Sequence, residues 1–323
     1  MLKMKDIYVL GIDIGASHCS LALVSAEGKI FFPELIESKS EEAFLLDRLV
    51  LASRKILEKA KQERKKVVGI GIGSPGIVDS EKGIVVVAGN LPELFGAPLR
   101  QIFQQEFGLE VQVENDVNAL ALGEMVFGVA KGQKNFVVFA LGTDLGGGIV
   151  IDGRLLRGAH FIASEFGHLT LDLEGERCIC GGYGCARQWA SGGGLAERAR
   201  EELPGESLVL KLAGGEREKI TAREVFQAWK KGDIYAERLI ENFGKHLGAL
   251  IANVMKVLDP EMVVLAGEVC RTEPEILNLV VRWTRHYYFP IPSLPEFRLS
   301  QFSKQQAVLG PVAGFLVEKG FLK

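Results

Sequence analysis

The chain has 323 residues, enough for two domains that each bury a core. It is 47% hydrophobic and 24% charged, with acids and bases interspersed and a formal net charge of −3, the balance of a soluble globular protein. No basic face or tail offers itself to nucleic acid, no apolar run approaches the roughly 20 residues of a membrane helix, and Asp13 breaks the one apolar run behind the first lysines, so a cytoplasmic protein without signal peptide, membrane or nucleic-acid partner is expected.

The first third reads as strands and then a helix. "IYVLGIDI" and "CSLALVS" alternate like strands, "EGK" closes a turn, and "KIFFPELI" carries Pro33, which belongs at a sheet edge. Over 41–63, Leu45, Leu49, Ala52, Ile56 and Ala60 fall at helical spacing, and "SKSE" at 38–41 supplies a start signal. A strand "VVGIGIG", a tight turn "SPG", an amphipathic helix near 98–107, a strand "LEVQV" and a helix from around Asn115 follow.

Near residue 136 the opening plan returns. "VVFALGTDLGGGIVIDGRLL" repeats the strand, glycine turn and strand of "YVLGIDIGASHCSLALVSAEGKI", which predicts a duplicated unit with two glycine turns facing one cleft. The rest is mostly helical. "TARE" at 221–224 is a capping box, and an apolar stripe from Leu239 to Leu258 ends at Asp259-Pro260. "EMVVLAGE" is a strand entering another glycine turn, and 305–319 is helical despite Pro311. The division expected is an N-terminal α/β domain over 1–117, a C-terminal α/β domain over 118–304, and a last helix at about 305–323 that packs back onto the first.

Three groups of residues carry chemistry. The turns at 13–17 ("DIGAS") and 141–148 ("LGTDLGGG") bring glycines, a hydroxyl from Ser17 or Thr143, and at Asp13 a carboxylate for the water shell of Mg²⁺. Each alone is an ordinary hairpin turn; the pair, with "LAGE" at 265–268, points to phosphate. In "ENDVNA" one of Asn115 and Asp116 is expected to cap a helix, and Asp116 is the candidate general base toward a substrate hydroxyl. Five cysteines cannot all pair within the chain, and Cys19 and Cys270 sit in apolar surroundings as buried thiols. His168, Cys178, Cys180 and Cys185 make the donor set of a closed, structural zinc shell, against the alternatives of a redox pair or free thiols.

In order, "DIGAS", "GIGSPG", "GNL", "ENDVNA", "LGTDLGGG", "EFGH" and "CICGGYGC" resemble the ROK family (repressors, uncharacterised frames and sugar kinases) of the actin-like ATPase superfamily. The resemblance implies an actin-like (ribonuclease H-like) fold of two α/β domains flanking a cleft. It implies MgATP on the turn holding Asp13, Gly15 and Ser17 and on that holding Thr143, Asp144, Gly146 and Gly147, with the adenosine side near Gly267. It implies Asp116 as base, sugar contacts from Asn90, Asn115, Glu165 and His168, and a homodimer or homotetramer. In related kinases that histidine meets zinc through one ring nitrogen and a sugar hydroxyl through the other.

Three departures qualify the resemblance. Arg187 stands where such kinases read glutamate in "GCxE", Asp144 where the phosphate turn has glycine, and "GAS" where "GGT" is usual. Arginine only donates, so Arg187 either meets an anionic or rearranged acceptor or pairs with a nearby acid such as Glu165. Repressor members carry a helix-turn-helix ahead of the first turn, for which the residues before Asp13 leave no room, so an ATP-dependent sugar or polyol kinase is expected. A sugar-binding sensor without turnover, or another transferase or hydrolase on the same scaffold, are the alternatives.

Overall fold

The computed structural model describes residues 7–40, 43–89, 91–290 and 292–322. The chain forms two compact units. One comprises Met1–Gly132, Gly153–Ala163 and Phe302–Lys323, and the other Gln133–Asp152 and Ser164–Gln301.

The first unit begins with β1 (Tyr8–Ile14), β2 (His18–Ser25), β3 (Ile30–Glu37), α1 (Leu45–Gln62), β4 (Val67–Ser74), β5 (Ile77–Asp79), β6 (Ile84–Val87), α2 (Leu99–Phe107), β7 (Glu110–Asn115) and α3 (Asp116–Val126). Its main sheet has the order β3-β2-β1-β4-β7, so Pro33 does lie on an edge strand. The first three strands pair antiparallel, and β4 runs parallel to both β1 and β7. Helix α1 starts later than "SKSE" suggests. The Ser38 hydroxyl donates to the Gly15 carbonyl at 2.6 Å and is not available as a cap; the Leu45 N–H is met instead by Glu93 Oε2 at 3.0 Å. Glu41 lies outside the described residues.

The second unit holds β8 (Phe136–Leu141) and β9 (Leu145–Ile151); the two-residue strand β10 (Arg154–Leu155) follows in the chain. Then come α4 (Arg187–Ala190), α5 (Gly192–Glu202), α6 (Leu208–Leu212), α7 (Ala222–Lys230), α8 (Ile234–Leu258), β11 (Met262–Ala266), α9 (Glu268–Thr272), α10 (Ile276–Tyr287) and β12 (Glu296–Leu299). Strands β9, β8, β11 and β12 lie side by side in that order, β8 antiparallel to β9 and parallel to β11. That is the plan of β2, β1, β4 and β7, the repeat expected from the two glycine hairpins. The capping box at Thr221 and Glu224 forms, and α8 ends at Asp259 in the left-handed conformation before Pro260.

The last helix, α11 (Leu309–Glu318), belongs to the first unit and explains the "GIGIG" of β4. Ile70 and Ile72 face the apolar core shared with α1 and α2. The glycines on the other face let α11 lie against the sheet: a Cβ on Gly71 would stand 2.1 Å from the Pro311 carbonyl oxygen, and one on Gly11 2.8 Å from that of Val308. Pro311 sits in the first turn of α11, where its missing N–H leaves no helical bond unmade. Among the described residues no helix is long and apolar enough to cross a membrane.

Candidate active site

In the first unit, parallel strands bring two carboxylates to the same end of the sheet, the end at which open α/β sheets take ligands. Asp13 on β1 is paired with Gly73 on β4, and Gly73 with Glu114 on β7, directly before Asn115 and Asp116. A Cβ on Gly73 would lie 3.4 Å from Asp13 Oδ1 and 3.7 Å from the Asp116 Cα, so this glycine is the floor beneath both acids. Burial pushes Asp13 up from its ordinary 3.8 to about 6.

The Asn-Asp pair divides its tasks. Asn115 is the N-cap of α3: its Oδ1 accepts the N–H groups of Val117 and Asn118 at 3.0 Å, and its Nδ2 donates to the Gly76 carbonyl at 3.0 Å. Asp116 is the first helical residue, half-buried, with Oδ1 accepting the Val117 N–H at 2.9 Å. The helix N-terminus therefore supports its negative charge. Beneath them Glu114 is 3% exposed and salt-bridged to Arg157 Nε at 2.6 Å. Sequence inspection gave Glu114 and Arg157 no role, because 43 positions separate them. Gly15 closes the other turn by donating to the His18 carbonyl at 3.1 Å, and Ser17 is exposed beside it. Asn90 lies outside the described residues.

In the second unit the β8–β9 turn closes when Gly142 N–H donates to the Asp144 carbonyl at 2.9 Å. Thr143 is exposed, and Gly146 is half-buried next to the buried Gly147. The turn rests on the start of α5, where Gly192 and Gly193 donate to the carbonyls of Gly142 and Thr143. A Cβ on Gly193 would meet the Thr143 oxygen at 2.3 Å, so the "SGGG" that caps and opens α5 is the seat of this turn, a relation the sequence did not disclose. Gly267, with φ +94°, ends β11 beside Leu141 in a conformation that favours glycine.

The cysteine loop fits a metal. One ligand atom each from His168, Cys178, Cys180 and Cys185 lie within 4.8 Å of one another. His168 Nδ1 is 3.8 Å from Cys178 Sγ, and Cys180 Sγ is 3.6 Å from Cys185 Sγ. A tetrahedral zinc with sulfur bonds of about 2.3 Å has ligand–ligand edges of about 3.7 Å. Desolvation and the neighbouring sulfurs push Cys185 up to about 12. His168 turns Nδ1 to the sulfurs, which leaves Nε2 for another partner. Cys19 and Cys270 are buried and stand apart from this cluster.

The two charged departures meet each other. Arg187 Nε donates to Asp144 Oδ1 at 2.8 Å, so the acid that pairs with Arg187 is Asp144 and not Glu165. Glu165 stands in the same corner: desolvation raises its carboxyl, His168 pulls it down, and the Asp144 carboxylate pushes it up again. Phe166, stacked on Phe139 at 4.7 Å between ring centroids, fixes the segment that carries Glu165 and His168 to the core.

Comparison with known proteins shows the family. The ROK family profile matches residues 9–318. The glucokinase of Halalkalibacterium halodurans is 31% identical over 321 residues, covering 98% of this chain and 96% of its own. The xylose repressor of Caldicellulosiruptor bescii is 33% identical over 82% of this chain and 67% of its own. Among solved structures, the ROK family glucokinase of Streptomyces griseus, in complex with glucose and AMPPNP, superposes with a TM-score of 0.80 at 28% identity, covering 94% of this chain and 97% of that one.

Proposed function

The chain belongs to the ROK family, with its actin-like fold, and from that premise we propose that it transfers the γ-phosphoryl group of ATP to a hydroxyl of a sugar or sugar-like polyol. The observation that carries this is the pairing of Asp13 and Asp116 across Gly73, two carboxylates of different character at the ligand-binding end of one sheet. Phosphoryl transfer needs positioning and charge stabilisation more than covalent help, and this division supplies both. Asp116, held by the helix start, takes the proton of the attacking hydroxyl. Asp13 would hold the water shell of the Mg²⁺ that accompanies ATP.

Gly15, Ser17, Thr143, Gly146, Gly147 and Gly267 serve the nucleotide. The Asp144 carboxylate is engaged by Arg187 through Oδ1, which offsets its charge toward the phosphates. Glu165, the free nitrogen of His168 and the remaining Asn115 amide hydrogen serve acceptor hydroxyls, with Asn90 assigned by resemblance alone. A zinc ion bound by His168, Cys178, Cys180 and Cys185 supplies structural order. Bound there, it would fix the histidine tautomer and order the Glu165–His168 segment.

The test is ADP formation over aldoses, ketoses, amino sugars, sugar acids and inositols, with wild type beside Asp116→Asn. The variant keeps an oxygen for the Val117 N–H and so keeps its fold. Turnover should fall by roughly 10²- to 10⁴-fold, the range of general-base contributions, while ATP and acceptor binding persist. Undiminished turnover would remove Asp116 from the mechanism. The repressor relative supports a second reading, a sugar sensor without turnover. That reading prevails if sugars raise the melting temperature while calorimetry detects no ATP binding.

A further inference from the structure

Strand β7 buries an acid on a face where a bare charge is costly. Val111 and Val113 belong to the core shared with α1 and α2, so by the two-residue period of a strand Glu114 points to the opposite face, where α11 lies. Three donors meet its carboxylate. Oε2 accepts from Arg157 Nε at 2.6 Å, and Oε1 accepts from the Asn115 N–H at 3.0 Å and from Asn118 Nδ2 at 3.2 Å. Asn118 is itself buried and its Oδ1 has no hydrogen-bond partner among the described residues, so the bond to Glu114 is what orients its amide. Glu114 thereby grips the residue before Asp116 and the residue two places after it.

Arg157 comes from 153–163, the stretch by which the chain returns to the first unit. Its carbonyl accepts the Ala163 N–H at 3.2 Å, and its second arm donates through Nη2 to Glu318 Oε1 at the end of α11, at 2.5 Å. Burial disfavours the cation, but the two carboxylates outweigh that and hold its proton more firmly than usual. The rigid fork of a guanidinium can serve two carboxylates at once. The Asn115 cap holds the start of α3 to itself; the Glu114–Arg157 pair holds that start to the rest of the unit.

We propose that Arg157 is a positioning residue for Asp116: by pairing with Glu114 it fixes the first turn of α3, and with it the placement of the Asp116 carboxylate against the acceptor hydroxyl. This rests on the kinase reading above and adds to it a residue that acts only through Glu114. The reason is geometric, since a catalytic group displaced by about 1 Å can lose about 100-fold in rate. The Glu318 arm ties down α11 and has no part in the chemistry.

The experiment measures kcat and the KM for MgATP in the ADP-formation assay, with the best acceptor at saturation. Calorimetric titration with ATP counts the competent sites in each preparation, and rates are expressed per competent site. Arg157→Gln should lower kcat by about 10- to 100-fold while the KM for MgATP stays within about threefold, the mark of an interaction that matters in the transition state. Arg157→Lys, which returns a charge to Glu114, should recover most of the loss. Glu318→Gln removes only the outer, half-exposed contact and should leave kcat within about twofold. If Arg157→Gln does not fold, Glu114→Gln carries the test. It leaves no unpaired acid in the interior and weakens the grip on Asn115 and Arg157, so its kcat should fall by about tenfold; a wild-type kcat there overturns the proposal. So does Arg157→Gln with a wild-type kcat, Arg157→Lys no better than Arg157→Gln, or Glu318→Gln as damaged as Arg157→Gln, and each of these leaves the kinase reading standing. Wild type that turns over none of the acceptors overturns both.

Discussion

Asp13 is the opposite of a salt-bridged carboxylate, and its energetics can be turned into a measurement. In the folded chain burial holds its proton to about pH 6, whereas the ordinary value is 3.8. Folding therefore takes up a proton between those two values. Below both, the group is neutral in either state and costs nothing. As pH rises through the window the folded state must ionise a buried acid, so stability falls, and above about pH 6 the full penalty is present. The gap between about 6 and 3.8, at about 1.36 kcal/mol per pH unit, amounts to about 3 kcal/mol. Partial exposure of the side chain trims this to about 2 kcal/mol.

Asp13→Asn removes the ionisation and keeps the shape. Compared with wild type in urea unfolding, without nucleotide or Mg²⁺, the variant should gain little or nothing near pH 4 and about 2 kcal/mol near pH 8, with the rise centred between about 4 and 6. The same substitution should abolish Mg²⁺-dependent turnover, so stability and activity move in opposite directions, as expected for strain kept for function. In wild type the acid limb of kcat/KM should lie near or below pH 6, because Mg²⁺ favours the ionised form. A stability difference that is the same near pH 4 and near pH 8 would refute the argument, since a neutral amide and a carboxylate differ only where the carboxylate is charged.

The remaining predictions concern the metal loop and the last helix. Purified protein should carry about one zinc per chain, and Cys185→Ala should lose the metal and weaken acceptor binding more than ATP binding; metal-free protein with three freely titrating thiols contradicts the site. Gly71→Ala should destabilise the chain by about 2–4 kcal/mol in urea unfolding and expose its last 20 or so residues to proteolysis, because the new methyl would stand 2.1 Å from the Pro311 carbonyl oxygen. An alanine variant as stable as wild type would mean that α11 does not lie against β4.

What the sequence disclosed follows the range over which residues constrain one another. Strand alternation, the capping box at Thr221 and the stop at Asp259-Pro260 are short-range signals, and the structure carries them at those places. That one of Asn115 and Asp116 caps α3 was legible for the same reason; which of the two was not, and the structure gives Asn115. Helix α1 was anticipated four residues early because "SKSE" is a sound local signal that a distant group overrides: the Gly15 carbonyl, 23 positions away, takes the Ser38 hydroxyl. Glycines show the same limit. Those of β4 and those opening α5 had no packing role in the sequence reading, yet they mark where another backbone comes to rest, the carbonyls of Pro311 and Thr143.

The charged corner shows the limit most clearly. Asp144 and Arg187 are each visible as an oddity, one a charge in a turn that the resemblance gives to phosphate and the other a donor in place of an acceptor. Their relation is not visible, because it spans 43 positions and depends on the start of α5 seating the β8–β9 turn against α4. Glu165 is nearer to Arg187 in sequence, but it follows the segment anchored by Phe166, while Asp144 sits on the turn that α5 holds in place. Taken singly, a half-exposed acid near phosphates would repel them and a buried arginine would demand an anion. Paired, each removes the other's electrostatic liability, so two departures that separately argue against catalysis are compatible with it.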